Sequence, residues 1–193
     1  MKQRFGIGVV VAGLLVATAV SARQAKPAAP AKQAAAAPGP VIVIETVKGT
    51  IEIETYPNDA PKSVAHVLEL VRRGFYRGQR IQYVAANAIQ FGDPYTKDMT
   101  KRDRWGSGGS GQPVGVAEKS KRKFDKGTVI LYYTNGYPAT LADSQMIILK
   151  QANPTIEGKY APIGHVTTGL DVVNKLEVTD VIKKMYMKGE PAK

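Results

Sequence analysis

The sequence has no cysteine, a single tryptophan and only two histidines among its 193 residues. The missing cysteine excludes disulfide stapling, a lipid-modified N-terminus and a thiol nucleophile, so stability has to come from a packed core. The two histidines, His66 and His165, are too far apart in sequence to form a metal-ligand cluster, and no metal or cofactor is expected. His66 falls on the flank of a helical stretch, with no second histidine or carboxylate at ligand spacing, and reads as structural or solvated. No Gly-x-Ser-x-Gly elbow occurs, and Ser144 lies on a strand with no base near it in the sequence. The run Gly106-Ser107-Gly108-Gly109-Ser110-Gly111 lacks the Gly-Lys-Ser/Thr ending of a phosphate cradle; Gln112-Pro113 follows instead. Glu52 and Glu54 alternate outward beside a turn and read as surface. Hydrolase and transferase chemistry therefore has little support.

What is present begins with an export signature. Lys2 and Arg4 precede an apolar run from Phe5 to Val20. Small residues at Val20 and Ala22 fit signal-peptidase cleavage after Ala22. The run is shorter than the roughly 20 residues that span a bilayer, so residues 1–22 read as a cleaved leader, with an uncleaved anchor as the other reading. Residues 23–40 are almost all Ala, Pro, Lys and Gln, a flexible linker by composition. From Val41 onward, 22 Lys+Arg face 16 Asp+Glu. That net +6 supports solubility and weak attraction to anionic surfaces, and no nucleic-acid partner is expected. Membrane contact is expected only through the leader, and the exported chain is read as a monomer in the periplasm or outside the cell.

The body, residues 41–187, is long enough for one domain with one core; residues 188–193 read as a tail. Val41–Thr46 and Thr50–Tyr56 alternate around Lys48-Gly49, a hairpin signal. Asp59 is placed to cap the helix that follows, with Pro61 in its first turn and Val64, Val67, Leu68 and Val71 at helical spacing up to Arg72-Arg73-Gly74. Ile81–Ala85 and Ala88–Phe91 read as two strands closed by Gly92-Asp93-Pro94, presenting the neutral polar groups Gln82, Tyr83 and Gln90. The connection Tyr95–Lys126 carries nine basic and four acidic residues; Trp105 is the residue placed to pin it to the body. Strands follow at Gly127–Tyr133, Ser144–Lys150 and around Ile163–Val166, a helix at Leu170–Leu176 and a strand within Val178–Met187. Seven or eight short strands with two helices indicate a mainly β, closed or nearly closed antiparallel sheet.

In this order and spacing, several segments resemble cyclophilin-type peptidyl-prolyl isomerases. They are Gly49-Thr50-Ile51-Glu52-Ile53-Glu54, Tyr56 to Val64, Leu68 to Tyr76, Ile89-Gln90-Phe91-Gly92-Asp93-Pro94, Gly108 to Gly111 through Glu118, Gly127-Thr128-Val129, Ser144-Gln145, Glu157 to Tyr160 and Gly169 to Val173. The resemblance covers Val41 to Val181. It implies a closed eight-stranded antiparallel barrel capped by two helices, with an outer groove for proline-containing segments of client proteins. Carried over position by position, Gln90 and Gln145 match the substrate-contacting glutamines. Other positions depart from the family pattern. Ile81-Gln82-Tyr83-Val84 stands where the family has Phe-His-Arg-Val, which puts Tyr83 at the catalytic arginine. Asn87–Ala88 stands near the Phe of the proline pocket, Ile147 at a second Phe, Thr155 at a Trp, Ile156 at a Leu and Tyr160 at a His. Leu131-Tyr132-Tyr133 replaces Met-Ala-Asn/Arg before a longer loop. Two functions follow as expectations: an isomerase of reduced efficiency that assists folding, or a non-catalytic module holding a proline peptide through Gln90, Gln145, Tyr83 and Tyr133.

Overall fold

A computed structural model describes residues 38–134 and 136–191; the expected leader and most of the linker lie outside the described residues. The hairpin forms as the alternation predicts, β1 (Val41–Thr46) against β2 (Thr50–Thr55), with Ile42 paired to Ile53 and Ile44 to Ile51 on the buried face. Helix α1 (Pro61–Arg72) buries Val64, Val67, Leu68, Leu70 and Val71 along one stripe and lies against the sheet. Strands β3 (Tyr83–Val84), β4 (Ala88–Phe91), β5 (Thr128–Leu131), β6 (Met146–Leu149) and β7 (Ala161–Thr168) follow. Helix α2 (Leu170–Lys175) and strand β8 (Ile182–Met187) complete the order. Every ladder is antiparallel, and the spatial order is β3-β4-β6-β5-β7-β2-β1-β8.

The expected closure of the barrel is corrected. The eight strands form an open, curled sheet, and its edge strands β3 and β8 share no ladder. The stretch expected as a strand over Ile81–Ala85 supplies only Tyr83–Val84, too short to pair on both sides. One isolated bridge, Arg80 to Val181, spans the gap. Irregular backbone bonds support it: Gly78 N to Ile182 O at 2.8 Å, Ile81 N to Asp180 O at 2.9 Å and Thr179 N to Ile81 O at 2.9 Å. Thr179 sits there at φ 82°, a left-handed conformation that a β-branched residue adopts only under strain. Thr179→Gly should relieve that strain. Against the extra freedom glycine gains in the unfolded chain, the net expectation is about 1 kcal/mol of added stability, a rise of roughly 3 °C in Tm by calorimetry.

Two further expectations change. Asp59 does not cap α1; the cap position is Ala60, with no side-chain bond. The Asp59 carboxylate instead accepts from Ser120 Oγ at 2.6 Å and from Arg122 at 2.7 and 3.0 Å. The orphan donors of the helix, the N–H groups of Lys62 and Ser63, go to Glu118 at 2.9 and 2.7 Å, an anion where the helix dipole favours one. Because both anchors come from residues 118–122, the end of the long connection is tied to α1. Trp105 pins the excursion to itself rather than to the body, its indole N–H reaching Asp98 O at 3.4 Å.

Two apolar cores result. The larger fills the curl of the sheet, with Ile42, Ile44, Ile51, Ile53, Ile89, Phe91, Val129, Met146 and Ile148 under α1 and α2. The smaller lies on the outer face, where Phe124, Ile130 and Leu149 are buried together. Among the described residues no helix is long and apolar enough to cross a membrane.

Candidate active site

Cross-strand register builds the site. Tyr83 pairs with Gln90, Gln90 with Ile147, and Ile147 with Ile130. Residues directly opposite in an antiparallel ladder share a face, so these four form one row across β3, β4, β6 and β5 on the outside of the curl. Their neighbours Val84, Ile89, Ile148 and Val129 form the inward row. The outer row grades from exposed to buried. Tyr83 is 56% exposed, while Ile130 is fully covered. Ala88, Ile147, Ile156 and Tyr160 pack partly buried on Phe124, Ile130 and Leu149, giving an apolar floor at the positions where a proline ring is expected. Phe124 is fixed by two backbone contacts. Its N–H donates to Glu157 Oε1 at 3.0 Å, and its carbonyl accepts from Asn153 N at 2.8 Å.

Beside the floor, the rings of Tyr132 and Tyr160 stack at 5.8 Å, and Tyr133 meets Tyr160 at 4.8 Å. Tyr133 also donates to Lys159 O at 3.1 Å. Burial, reinforced by the two neighbouring phenols, pushes the Tyr160 hydroxyl up, so Tyr160 acts as a neutral aromatic surface. A cleft of about 360 Å³ opens between the glycine run 106–111 and Tyr132, Tyr133, Thr134 and Leu141, floored by Asp143, Ser144 and Gln145.

Three glutamines converge at the end of that cleft. Gln82 and Gln90 both donate their amides to Gln145 Oε1, at 2.8 and 2.7 Å. Gln145 Nε2 donates in turn to Gly106 O at 2.9 Å and Gly108 O at 2.7 Å. Gln145 is only 8% exposed, and its amide is wholly used inside the protein. Gln82, noticed in the sequence only as part of a polar row, therefore belongs to the site. Asp93 locks the same loop from below, its Oδ2 accepting from Gly106 N at 2.6 Å and Gly108 N at 2.9 Å. The glycine run thus cradles protein carboxylates rather than phosphate. Gly92 is required by the same packing: it sits at φ 111°, and the Ser144 carbonyl occupies the place of any Cβ.

His66 does acquire a carboxylate, one that sequence spacing could not show. Its Nε2 lies 3.1 Å from Asp143 Oδ1, across 77 residues of chain. Asp143 also accepts from Ser110 Oγ and, at 3.0 Å, from Gly111 N. Burial raises its carboxyl, but these bonds outweigh burial and hold it below the ordinary range. The serine bonds the acid and not the imidazole, so the trio clamps the loop and does not activate a nucleophile. Ser144 is buried, its hydroxyl spent on Gly92 O at 2.8 Å. Among the described residues no three His, Asp or Glu side chains are placed to hold a metal ion. Neither of the arginines flanking the row is free. Arg80 donates to Thr96 O at 2.7 Å and Lys97 O at 3.0 Å; Arg104 lies 3.9 Å above the Tyr95 ring and bonds its hydroxyl.

Comparison with known proteins decides what this frame is. The family described as cyclophilin type peptidyl-prolyl cis-trans isomerase/CLD matches residues 41–191. The chain belongs to the cyclophilin-type peptidyl-prolyl isomerase family. Among its relatives is a probable peptidyl-prolyl cis-trans isomerase of Brucella abortus, 34% identical over 147 residues, 74% of each chain. Another is the peptidyl-prolyl cis-trans isomerase-like 1 of Mus musculus, 30% identical over 142 residues, 73% of this chain and 81% of that one. A solved cyclophilin from Cryptosporidium parvum superposes with a TM-score of 0.67 at 22% identity, covering 79% of this chain and 99% of that one. The same parasite cyclophilin was also solved in the presence of the dipeptide Ala-Pro, with a TM-score of 0.65 and 23% identity.

Proposed function

We propose that this cyclophilin binds Xaa-Pro segments of client polypeptides on the outer row and isomerises them slowly, in an exported location. The observation that carries the reading is the composition of the row: an apolar floor beginning at Ile147, one strand beyond Gln90 from Tyr83, a neutral phenol at the position expected to donate to the proline nitrogen. Rotation about a prolyl bond meets a barrier of about 20 kcal/mol because it breaks amide resonance. A donor that bonds the nitrogen as resonance is lost lowers that barrier, and a charged donor does so about twice as strongly as a neutral one. Tyr83 offers the weaker bond. The deficit is on the order of 3 kcal/mol, about a hundredfold in rate, if it resembles loss of one preorganised donor.

That the parasite neighbour was solved in the presence of Ala-Pro supports proline as the ligand, and Ile147, Ile156 and Tyr160 supply the surface to hold it. A purely binding role is the second reading, favoured by the same phenol. Export rests on the leader signature at residues 1–22 alone. A protease-coupled assay on an Ala-Pro peptide separates the two functions. The expected kcat/KM is about one hundredth of that of an arginine-bearing cyclophilin assayed alongside. A value within threefold of that enzyme would end the reading of reduced turnover, and peptide binding with no rate above the uncatalysed one would favour the binding module.

A further inference from the structure

We propose that the excursion from Pro94 to Trp105, with Arg80 beside it, is a docking face for an anionic lipid surface. It adjoins the prolyl groove, whose cleft Tyr95 also lines, and uses a segment that the fold and the outer row leave unexplained. Two 3-10 turns, Pro94–Lys97 and Met99–Arg104, make up the excursion. Lys97 and every residue from Met99 to Arg104 are exposed. The turns are held rigid from within: Asp93 and Asp98 cap them by accepting from Tyr95 N and Thr100 N, at 2.7 and 2.9 Å. Buried Thr96 ties the first turn to Arg80 N at 3.0 Å.

The cations here are gathered and uncompensated. Arg80 reaches the carbonyls of Thr96 and Lys97, and Lys97 Nζ lies 5.9 Å above the Phe75 ring. Arg102 covers Trp105 at 5.5 Å, and Arg104 covers Tyr95 at 3.9 Å. None of Arg80, Lys97, Arg102 and Arg104 takes part in a salt bridge among the described residues. Lys101 pairs with Asp98, and Asp103 is the remaining acid of the excursion.

Lipid is favoured over nucleic acid by how the aromatic rings are used. Sequence-tolerant binding of single strands needs free ring faces on which bases stack. Here Phe75, Tyr95 and Trp105 each carry a cation over one face. What projects instead is Met99, 45% exposed, an unbranched apolar side chain among lysine and arginine. An exposed apolar side chain with Lys97, Lys101 and Arg102 two or three residues away in sequence matches the boundary between headgroups and acyl chains. Each Lys or Arg near an anionic membrane surface contributes about fivefold in affinity, weakened by salt.

The test is sedimentation of the whole chain with vesicles of phosphatidylcholine alone and of phosphatidylcholine with phosphatidylglycerol, at low and physiological salt. The apolar run at residues 5–20 is common to all variants, so the comparison between variants isolates the face. Arg102→Glu with Arg104→Glu should weaken binding to the anionic vesicles at least about tenfold and leave binding to neutral vesicles unchanged. Met99→Asp should weaken the anionic binding severalfold, and Arg102→Gln with Arg104→Gln serves as the milder pair, with melting curves confirming the fold of each. Anionic binding equal to wild type in all three variants would overturn the proposal. So would a duplex DNA probe bound more tightly than the anionic vesicles and lost in the same variants, which would reassign the face to nucleic acid.

Discussion

Tyr83→Arg should raise kcat/KM on an Xaa-Pro peptide by about tenfold to a hundredfold. The position is open, since Tyr83 is 56% exposed on the short edge strand β3, so a longer side chain enters without displacing the core. It is also aimed. Tyr83 stands directly opposite Gln90, whose Nε2 is spent on Gln145 while its Oε1 accepts no bond from the described residues. A guanidinium at position 83 can donate to that oxygen and keep further N–H groups for the proline nitrogen, because its five donors are arranged in a rigid fork. The gain depends on the floor formed by Ala88, Ile147, Ile156 and Tyr160 over Phe124, Ile130 and Leu149. Tyr83→Lys separates charge from geometry: a flexible point charge should recover less than the fork does. If Tyr83→Arg binds peptide as before yet stays within twofold of wild type, the missing cation is not what limits turnover, and the replaced aromatic floor at Asn87 and Ile147 becomes the cause.

Most of the frame was legible because it is written in short-range pattern. Strand alternation around Lys48-Gly49, helical spacing from Val64 to Val71 and the Gly-Asp-Pro turn each report local geometry, and each element formed within a residue or two of its expected ends. The open seam was not legible. Closure depends on whether residues near Arg80 and Val181, a hundred positions apart in sequence, extend their pairing beyond one bridge, and local alternation carries no such information. The same limit applied to side chains that meet across the fold. His66 read as unpartnered because Asp143 lies 77 residues away, and Asp59 read as a cap because Ser120 and Arg122 could not be seen to claim it. Of the expected site residues, Tyr83, Gln90, Ile147, Ile156 and Tyr160 come together on the outer face, and Tyr133 joins them through Tyr160. The floor residues Phe124, Ile130 and Leu149 were missed. Phe124 closes a charged, glycine-rich connection with no periodicity to mark it, and only its burial identifies it as core.

Gln145→Ala should be the costliest polar substitution in the site, at about 3 to 4 kcal/mol of stability, a fall in Tm of roughly 10 °C. Matching a family glutamine in sequence marks Gln145 as a contact for substrate, but its geometry gives it a structural duty first. One amide accepts from Gln82 and Gln90 and donates to Gly106 O and Gly108 O, all within 2.7 to 2.9 Å. Truncation leaves two donors and two acceptors without their partner around a side chain 8% exposed; these four groups are half-buried, so each loses part of the desolvation cost of an unmade bond rather than all of it. Asp93 still holds the N–H groups of Gly106 and Gly108, so the loop should remain attached on one side and loosen on the other. Hydrogen exchange would read this as faster exchange at Gly106 to Gly111 with α1 unchanged. Gln145→Glu sharpens the case, because a carboxylate still accepts from Gln82 and Gln90 but faces the Gly106 and Gly108 carbonyls with no proton to give. It should lose about as much stability as the alanine variant at neutral pH and recover part of it as the carboxyl protonates in acid. Equal stability of both variants and wild type would mean that the glycine loop is held by Asp93 and Asp143 alone, leaving the Gln145 amide free to serve a bound peptide.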